Sequence, residues 1–390
     1  MKITDVKTYV TMPVEGLAWL FVEVETDEGI TGLGECTDYF VNPHLVRGIE
    51  AVKPLVIGQD PANIEEIWQK IFHLHSDLNP RGYVSHLISA IDIALWDIKG
   101  KVLGVPIYQL LGGPVRTHVP LYTHPGTGTI DEIVASALRM KEEGFEATKT
   151  DPFAKQNEAG RGFVGADRVE RLSRRAIAEG VEVMEALREA LGEDYELMVD
   201  AHARFDVASA IAMCNALEHV DLTWVEEPTH VENHDSLKQV RQNTNVPLCV
   251  GERHFTRWDY LTILQEGLVD YIMPDVAWCG GISELRRIAA LAEPYFVRVS
   301  PHDALGPASI AAGFQTCMTT PNLYKQECVS EWFPAFEKII TPMFDIREGS
   351  IWPSDRPGLG IELIHEEVER HAIDVDDPRA LPGWYVKNED

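Results

Sequence analysis

Eight short apolar segments alternate with amphipathic helical segments from about residue 117 onwards, and this alternation constrains the fold most. The apolar segments are VPLYTH (119–124), EATKTD (146–151), YELMVD (195–200), LTWVEE (222–227), VPLCVGE (246–252), VDYIMPD (269–275), FVRVSPH (296–302) and NLYKQE (322–327). Strands that alternate with helices pair in parallel through βαβ units. Eight such units are enough to close a barrel, so the sequence predicts an α/β fold with a (β/α)8-type, TIM-like barrel.

The first 116 residues follow a different pattern. Residues 1–37 alternate apolar and polar side chains around a turn at Asp27-Glu28-Gly29, which predicts an antiparallel hairpin. Residues 41–111 carry apolar side chains at helical spacing and predict helices. We therefore expect three units, which are an N-terminal α+β unit (1–116), the barrel (117–340) and a C-terminal segment (341–390) that packs back on the N-terminal unit.

The charge of the chain excludes several classes of partner. Acidic residues outnumber basic residues by 62 to 34, and the formal net charge is -28. Nucleic acids and anionic membranes require basic surfaces, so we expect neither as a partner. The six cysteines are scattered and the start of the chain has no signal-peptide pattern, which is typical of a cytoplasmic protein. An anionic substrate would need a local positive centre, such as a metal ion.

Six consecutive predicted strands end in an acid or a histidine. Successive ends are roughly 25 residues apart, about one βα unit, and they are Asp200, Glu226, Glu252, Asp275, His302 and Glu327. The carboxyl ends of the strands in a (β/α)8 barrel lie on one rim, where the catalytic residues of such barrels are found. A single buried acid usually has a structural partner, but six in phase indicate a functional site.

Three of these acids, Asp200, Glu226 and Glu252, end neighbouring predicted strands. Like charges in one pocket raise each other's pKa, so the three carboxylates stay ionised only if a cation neutralises them. They offer hard oxygen ligands, with no nearby cysteine or paired histidine in the sequence, which favours Mg2+ over Zn2+. We therefore predict that these three residues hold one Mg2+ ion per subunit.

The motifs around the strand ends carry a resemblance to a known family. The segments LMVDAHARF, WVEEP, VGER, MPDVAWCGGISE and VSPHDALGP occur in the order and at the spacing of the enolase superfamily, mandelate racemase subgroup. The segments TDEGITGLGE and ALWDIKGKVLGVPIYQLLGG resemble the capping domain of that family. The resemblance covers nearly the whole chain. It implies that the N-terminal unit is a capping domain, which the C-terminal tail completes.

The resemblance also implies roles for the strand-end residues. In this family a Mg2+ ion held by three carboxylates binds a substrate carboxylate, a base removes the α-proton, and the metal stabilises the enediolate. His302 with Asp275 is similar to the family's basic dyad, and Asp275 can fix the tautomer of the imidazole. Glu327 matches an acid that donates a hydrogen bond to the enolate oxygen, which requires that burial near other acids keeps it protonated.

The second predicted barrel strand separates the subtypes of this family. Racemases carry K-x-K there, and their second lysine is a base. Here the run is Lys149-Thr150-Asp151, which argues against a two-base racemase or epimerase. Lys149 matches the first lysine, so we expect it to bind a substrate carboxylate or enolate oxygen, or otherwise to form a salt bridge. Asp151 and Arg204 receive no role from the sequence.

His202 points to the reaction. The D-x-H of the third barrel strand is similar to that of acid-sugar dehydratases, in which the histidine protonates the departing 3-hydroxyl; the alternative is a histidine that supports the metal site. β-Elimination needs a base for the C2 proton and an acid for the leaving group, and His302 and His202 meet that need. We expect a Mg2+-dependent hydro-lyase that converts an acid sugar, an aldonate such as galactonate or gluconate, to a 2-keto-3-deoxy acid.

Two alternatives to a dehydratase stay open. One is a racemase, epimerase or cycloisomerase on the same scaffold, with His202 as an unorthodox second base. The other is a catalytically silent relative, which should have lost a metal ligand or a dyad residue, and the sequence has lost none of them. Relatives of this kind are commonly symmetric, so we also expect a homo-oligomer.

Two N-terminal loops could close the mouth of the barrel. Within residues 14–19 and 75–84, the side chains of Trp19, Arg81 and Tyr83 are candidates to contact the polyol, and packing between the domains is the alternative. Residues 154–166 are polar and rich in glycine, and we expect a mobile loop over the pocket.

Overall fold

A three-stranded antiparallel sheet and four helices form the capping domain. The structure is a computed structural model, and it describes residues 1–38, 42–75, 81–154, 156–157, 160–161, 171–375 and 377. The strands, in the order β1-β2-β3, are β1 (Ile3–Val14), β2 (Leu17–Thr26) and β3 (Thr31–Glu35). The helices are α1 (Asn42–Val56), α2 (Ile64–Leu74), α3 (Tyr83–Leu103) and α4 (Ile107–Leu110). The predicted hairpin is the β2–β3 pair, and Gly29 in its turn has a φ of 77°, which favours glycine.

Eight parallel strands form the barrel that the alternating pattern predicts. They are β4 (Val119–Tyr122), β5 (Ala147–Thr150), β8 (Glu196–Asp200), β9 (Trp224–Glu226), β10 (Leu248–Val250), β11 (Tyr271–Ile272), β12 (Arg298–Val299) and β13 (Gln326–Glu327), and the short strands β6 (Gln156–Asn157) and β7 (Gly160–Arg161) pair outside it. Strands β5 and β8 to β12 pair in sequence order, and β13 pairs with β4. Parallel bridges at Thr123–Thr148 and Val299–Leu323 link the two groups, so the ring of strands closes.

One helix follows each barrel strand. These helices are α5 (Ile130–Glu142), α6 (Arg174–Leu191), α7 (Val207–Leu217), α8 (His234–Gln242), α9 (Thr256–Gln265), α10 (Gly281–Ala292), α11 (Pro307–Cys317) and α12 (Phe333–Ile339). Local sequence sets several of their starts: Thr129 and Glu132 form a capping box at α5, and the Asp206 side chain accepts the Ser209 N–H at α7. These starts direct the chain from the catalytic rim back along the outside of the barrel.

The C-terminal tail contacts both domains. It contains β14 (Ile340–Thr341), β15 (Asp345–Arg347), β16 (Ser350–Trp352), β17 (Glu362–Leu363) and α13 (His365–Arg370). Strand β16 pairs antiparallel with β4 of the barrel, whereas Ala372 forms a bridge with Thr11 of β1. The tail therefore completes the capping domain, as the fold prediction states, and it also extends the sheet that contains β4.

Large side chains fill the interior of the barrel below the rim. Tyr122, Met198, Trp224, Cys249 and Met273 form an apolar cluster there, each with no exposed surface. A packed interior confines any ligand site to the rim. Among the described helices, none is long and apolar enough to cross a membrane. The cytoplasmic location and the homo-oligomer stay predictions, and most of residues 154–166 lie outside the described residues.

Candidate active site

Three buried carboxylates meet at the rim of the barrel. Asp200 ends β8 and lies in register with Glu226 at the end of β9, and Glu252 follows β10 by two residues. One oxygen from each carboxylate lies within 4.8 Å of the others. Burial and the charge of Asp200 raise the pKa of Glu226 well above its ordinary value. An all-oxygen donor set with this mutual repulsion fits a hard divalent cation.

Lys149 lies among these acids on β5. Its Nζ is 2.9 Å from Glu226 Oε2, 2.7 Å from Glu327 Oε1 and 3.7 Å from Asp200 Oδ2. Burial alone would lower the pKa of Lys149, but the charges of Glu226 and Glu327 outweigh it and raise the pKa well above its ordinary value. The ammonium group thus connects the carboxylate cluster of Asp200, Glu226 and Glu252 to Glu327 at the end of β13, the last strand of the barrel.

The pKa of Glu327 is shifted in the direction opposite to the one that a protonated acid requires. Burial would raise its pKa, but Lys149, His302 and His124 lower the pKa well below its ordinary value. His124 Nε2 lies 2.6 Å from Glu327 Oε1, and the Asp303 N–H donates to Oε2. The sequence argument counted the neighbouring acids and omitted these cationic partners, which act on the pKa of Glu327 in the opposite direction.

His302 has two carboxylate partners. Its Nδ1 lies 2.6 Å from Asp275 Oδ2, and its Nε2 lies 2.8 Å from Glu252 Oε2. Its ring also lies against that of Trp278, with 5.1 Å between centroids. Burial would lower the pKa of His302, but Glu252 and Glu327 outweigh it and raise the pKa well above its ordinary value. The Asp275 contact is the one that the predicted dyad requires. A cation bound to Glu252 would neutralise part of the negative charge that faces His302 Nε2.

His202 has the same arrangement of partners on the other side of the carboxylate cluster. Its Nδ1 lies 3.1 Å from Asp151 Oδ2, and its Nε2 lies 3.0 Å from Asp200 Oδ2. Arg204 Nη2 donates to both oxygens of Asp151, at 2.9 and 2.7 Å. In each histidine, Nδ1 therefore contacts an acid outside the carboxylate cluster of Asp200, Glu226 and Glu252, and Nε2 contacts an acid within that cluster.

Three of the residues in this constellation received no role from the sequence. The segments VPLYTH and EATKTD end in His124 and Asp151, so the rule that selected the other six strand ends also applies to the first two strands. Arg204 alternates with Asp200 and His202, but only the fold shows that it binds Asp151. Arg253, which follows Glu252 in the chain, contacts both Glu252 and Glu227.

The capping-loop candidates are engaged in packing contacts. Trp19 is fully buried against Phe336, with 5.1 Å between ring centroids. Arg81 pairs with Asp259 of α9, and the Tyr83 hydroxyl donates to the His44 carbonyl at 2.6 Å. These contacts favour the packing alternative for all three, because their side chains already connect parts of the fold.

A capped (β/α)8 barrel with a carboxylate cluster and two histidine–acid pairs at its rim defines a class of barrel enzymes. The chain belongs to the enolase superfamily, mandelate racemase subgroup. The family model described as mandelate racemase / muconate lactonizing enzyme, N-terminal domain, matches residues 6–112. The model described as enolase C-terminal domain-like matches residues 132–368.

Relatives from several bacteria cover nearly the whole chain. A D-galactonate dehydratase family member from Streptomyces bingchenggensis is 35% identical, over 93% of this chain and 91% of the relative. A D-galactonate dehydratase from Pectobacterium atrosepticum is 33% identical, over 98% and 97%. A D-mannonate dehydratase from Caulobacter vibrioides is 32% identical, over 95% of each chain. The family thus includes relatives named for different acid sugars at similar identity.

Solved structures agree with the fold along nearly its full length. A mandelate racemase/muconate lactonizing enzyme-like protein from Rubrobacter xylanophilus has a TM-score of 0.88 and 33% identity, over 96% of this chain and 98% of that one. The 3,6-anhydro-D-galactonate cycloisomerase from Zobellia galactanivorans has a TM-score of 0.84 and 27% identity, over 96% and 100%. The scaffold alone therefore does not select one reaction.

Proposed function

We propose that the protein is a Mg2+-dependent dehydratase of an acid sugar, most simply an aldonate such as galactonate or gluconate. The observation that carries the proposal is the pair of histidines, His302 and His202, each oriented through Nδ1 by its own acid and each directed through Nε2 toward the carboxylate cluster. β-Elimination needs two such groups, a base and an acid. The relatives named D-galactonate and D-mannonate dehydratase support the same reaction class.

Asp200, Glu226 and Glu252 are the residues that would hold the ion. Their oxygens lie within 4.8 Å of one another and match the ligand preference of Mg2+. A bound Mg2+ supplies positive charge that binds the substrate carboxylate and makes the neighbouring C2 proton more acidic. This charge also explains how a chain with a net charge of -28 could accept an anionic substrate.

In the proposed reaction His302 Nε2 takes the C2 proton, and the electrons of the broken C–H bond pass first onto the substrate carboxylate and then form the C2–C3 double bond. The C3–O bond breaks as His202 Nε2 delivers a proton to the departing hydroxyl, which leaves as water. The resulting enol becomes the 2-keto-3-deoxy acid by moving its hydroxyl proton to C3. Asp275 keeps the proton on Nδ1 of His302, so that Nε2 is the basic nitrogen.

Lys149 and His124 would bind the oxygens of the substrate carboxylate and 2-hydroxyl region, and Glu327 would hold both of these side chains in position. The three side chains are connected through Glu327, at 2.7 Å from Lys149 and 2.6 Å from His124. A fixed ammonium group at this position stabilises negative charge that develops when the C2 proton leaves. Their role is binding and electrostatic stabilisation rather than proton transfer at C2.

A racemase or epimerase is the second candidate, because two histidine–acid pairs could also be two bases. Against it, the family's second lysine on β5 is replaced by Asp151, which is bound to Arg204 and His202. The two candidates differ in product. An epimerase changes the configuration at C2 and keeps all the oxygens, whereas a dehydratase releases water and a 2-keto acid.

The test is a screen of aldonates, aldarates and deoxy acid sugars with Mg2+, in which 2-keto acid formation and C2 epimerisation are both measured. We expect a 2-keto-3-deoxy acid from at least one aldonate, loss of this activity in EDTA, and recovery with Mg2+. A product that is epimerised at C2 and retains the 3-hydroxyl would replace the proposal with the second candidate. Full turnover in EDTA would refute the metal dependence.

A further inference from the structure

The acid that replaces the family's second lysine sits at the centre of a small hydrogen-bond network. Asp151 follows β5, and its side chain is about nine-tenths buried, with 10% exposure. Its carboxylate accepts hydrogen bonds from Arg204 Nη2 and from the Phe153 N–H, and it faces Nδ1 of His202 at 3.1 Å. Burial raises the pKa of Asp151, but the contacts with His202 and Arg204 lower it below its ordinary value.

Arg204 is itself fixed in place. Its side chain is 3% exposed, its Nε donates to the Ala201 carbonyl at 3.2 Å, and its guanidinium lies 5.2 Å from the centroid of the Phe205 ring. A guanidinium that is held at several points can present its N–H groups in a fixed direction. Arg204 therefore sets where the Asp151 carboxylate lies.

The backbone that carries His202 is strained. His202 and Ala203 both have positive φ values, 51° and 54°, which residues other than glycine adopt at an energetic cost. Such a conformation persists only where surrounding bonds hold it, and here the His202 N–H donates to Asp200 Oδ1 and the Ala203 N–H to the Glu227 carbonyl. These bonds fix the backbone, whereas the direction of the imidazole ring depends on the contacts of its two nitrogens, with Asp151 at Nδ1 and with Asp200 at Nε2.

We propose that Asp151 and Arg204 are positioning residues for the leaving-group step: Arg204 orients Asp151, and Asp151 accepts the Nδ1–H of His202 so that Nε2 faces the departing hydroxyl. This inference rests on the proposed function. The network lies on the His202 side of the carboxylate cluster. Removal of the C2 proton by His302 and Asp275 does not need it, so the two half-reactions should separate.

The test is Asp151→Asn, measured with the best aldonate from the screen and saturating Mg2+. An amide has one acceptor oxygen where the carboxylate has two, so His202 and Arg204 compete for it. We expect kcat for dehydration to fall by about 10^2-fold with KM nearly unchanged, because the acid is misdirected while substrate binding is kept. Exchange of the C2 proton with deuterium oxide should continue at close to the wild-type rate.

A substrate analogue separates a positioning role from a general structural role. A 3-deoxy-3-fluoro aldonate loses fluoride, which needs less help from an acid than hydroxide does. Asp151→Asn should therefore eliminate fluoride at nearly the wild-type rate, whereas the matched variant Asp275→Asn should lose exchange, dehydration and fluoride elimination together. Arg204→Lys should show the pattern of Asp151→Asn with a smaller loss, because it keeps the charge and loses the fixed geometry.

The outcomes that contradict the inference are specific. Equal losses of exchange, dehydration and fluoride elimination in Asp151→Asn would assign Asp151 a structural role, and full dehydration by that variant would remove its role altogether. If Asp151→Asn does not fold, Asp151→Glu replaces it in the test, because it keeps the charge and displaces the carboxylate. The same three rates, of exchange, dehydration and fluoride elimination, are then measured. His202→Asn is the reference: normal dehydration by His202→Asn would refute the role of His202 as the leaving-group acid. Loss of dehydration in His202→Asn together with normal dehydration by Asp151→Asn would refute only this inference. A wild-type protein that forms no 2-keto acid in the screen would refute the proposed function itself.

Discussion

Buried carboxylates at the rim of the barrel have different partners from two buried carboxylates at the interface between the capping domain and the barrel. The interface acids are Glu35 of β3 and Asp92 of α3, which are 0% and 2% exposed. Glu35 accepts three backbone N–H groups at the start of α11, and Asp92 accepts the N–H and the hydroxyl of Ser283 on α10. Both acids are therefore satisfied by groups that cannot titrate.

The rim acids mainly face one another and ionisable side chains. Glu226 faces Asp200 and Lys149, and Glu252 faces His302. Such partners can exchange protons or give way to a cation, whereas a backbone N–H stays where the fold puts it. Burial and perturbed pKa values alone do not separate the regions, since burial also raises the pKa of Glu35 to about 7. For these acids, the identity of the partner is what distinguishes the rim from the interface.

The largest effect should come from His302→Asn at the rim. This variant removes the base, so both C2 proton exchange and dehydration should fall by about 10^3-fold or more. Its free energy of unfolding should change less than that of the Glu35 variant described below. Steady-state assays, deuterium exchange followed by NMR, and guanidinium unfolding measure the three quantities. A variant that is severely destabilised but active would break the distinction between the two regions.

His202→Asn should separate the two reactions at the rim, dehydration and exchange of the C2 proton. Dehydration should fall by about 10^2-fold to 10^3-fold because the leaving hydroxyl loses its acid, while exchange of the C2 proton continues. The same NMR and keto-acid assays measure both rates in one sample. Equal loss of both reactions would place His202 with the metal site, which is the alternative that the sequence left open.

Glu35→Ala, at the interface, should lower the stability of the protein and leave its activity nearly unchanged. It leaves the N–H groups of Gly306, Ala308 and Ser309 without their acceptor, and we expect a loss of about 2 kcal/mol in the free energy of unfolding. At 25 °C the folded variant should keep kcat within about threefold of the wild type. Glu28→Ala, at an exposed position of the same domain, is the control for unfolding. Loss of activity without loss of stability would move Glu35 into the functional class.

The rim could be predicted from the sequence because barrel geometry repeats. Each βα unit brings the next strand end to the same rim, so Asp200, Glu226 and Glu252 are brought together by spacing alone. The interface acids could not be found in this way. The partner of Glu35 is the N–H of Gly306, 271 residues away, and backbone donors leave no signature in residue type. The partners of Glu327 were missed for a related reason, since ion pairs across the barrel depend on side-chain reach.

The smallest expected effect is a change in the pH dependence of stability in Asp92→Asn. Burial raises the pKa of Asp92 to about 7, although the Ser283 hydrogen bonds and Arg287 act to lower it. The folded state therefore favours the protonated acid, and this contribution to stability is complete below the ordinary pKa of an aspartate and is lost as the pH rises toward about 7. Guanidinium unfolding between about pH 5 and 7.5 should show a shallower decline in the variant, because asparagine does not ionise.

Two controls sharpen this last comparison. Asp131→Asn, at an exposed position in the first turn of α5, should leave the slope of stability against pH unchanged. Glu35 contributes a decline of the same sign, since burial raises its pKa too, so the Asp92 variant should reduce the slope without abolishing it. Parallel curves for wild type and Asp92→Asn would mean that the Ser283 hydrogen bonds keep Asp92 ionised throughout. Asp92 would then be a permanent charge held by fixed donors, whereas the rim acids have partners that can exchange protons.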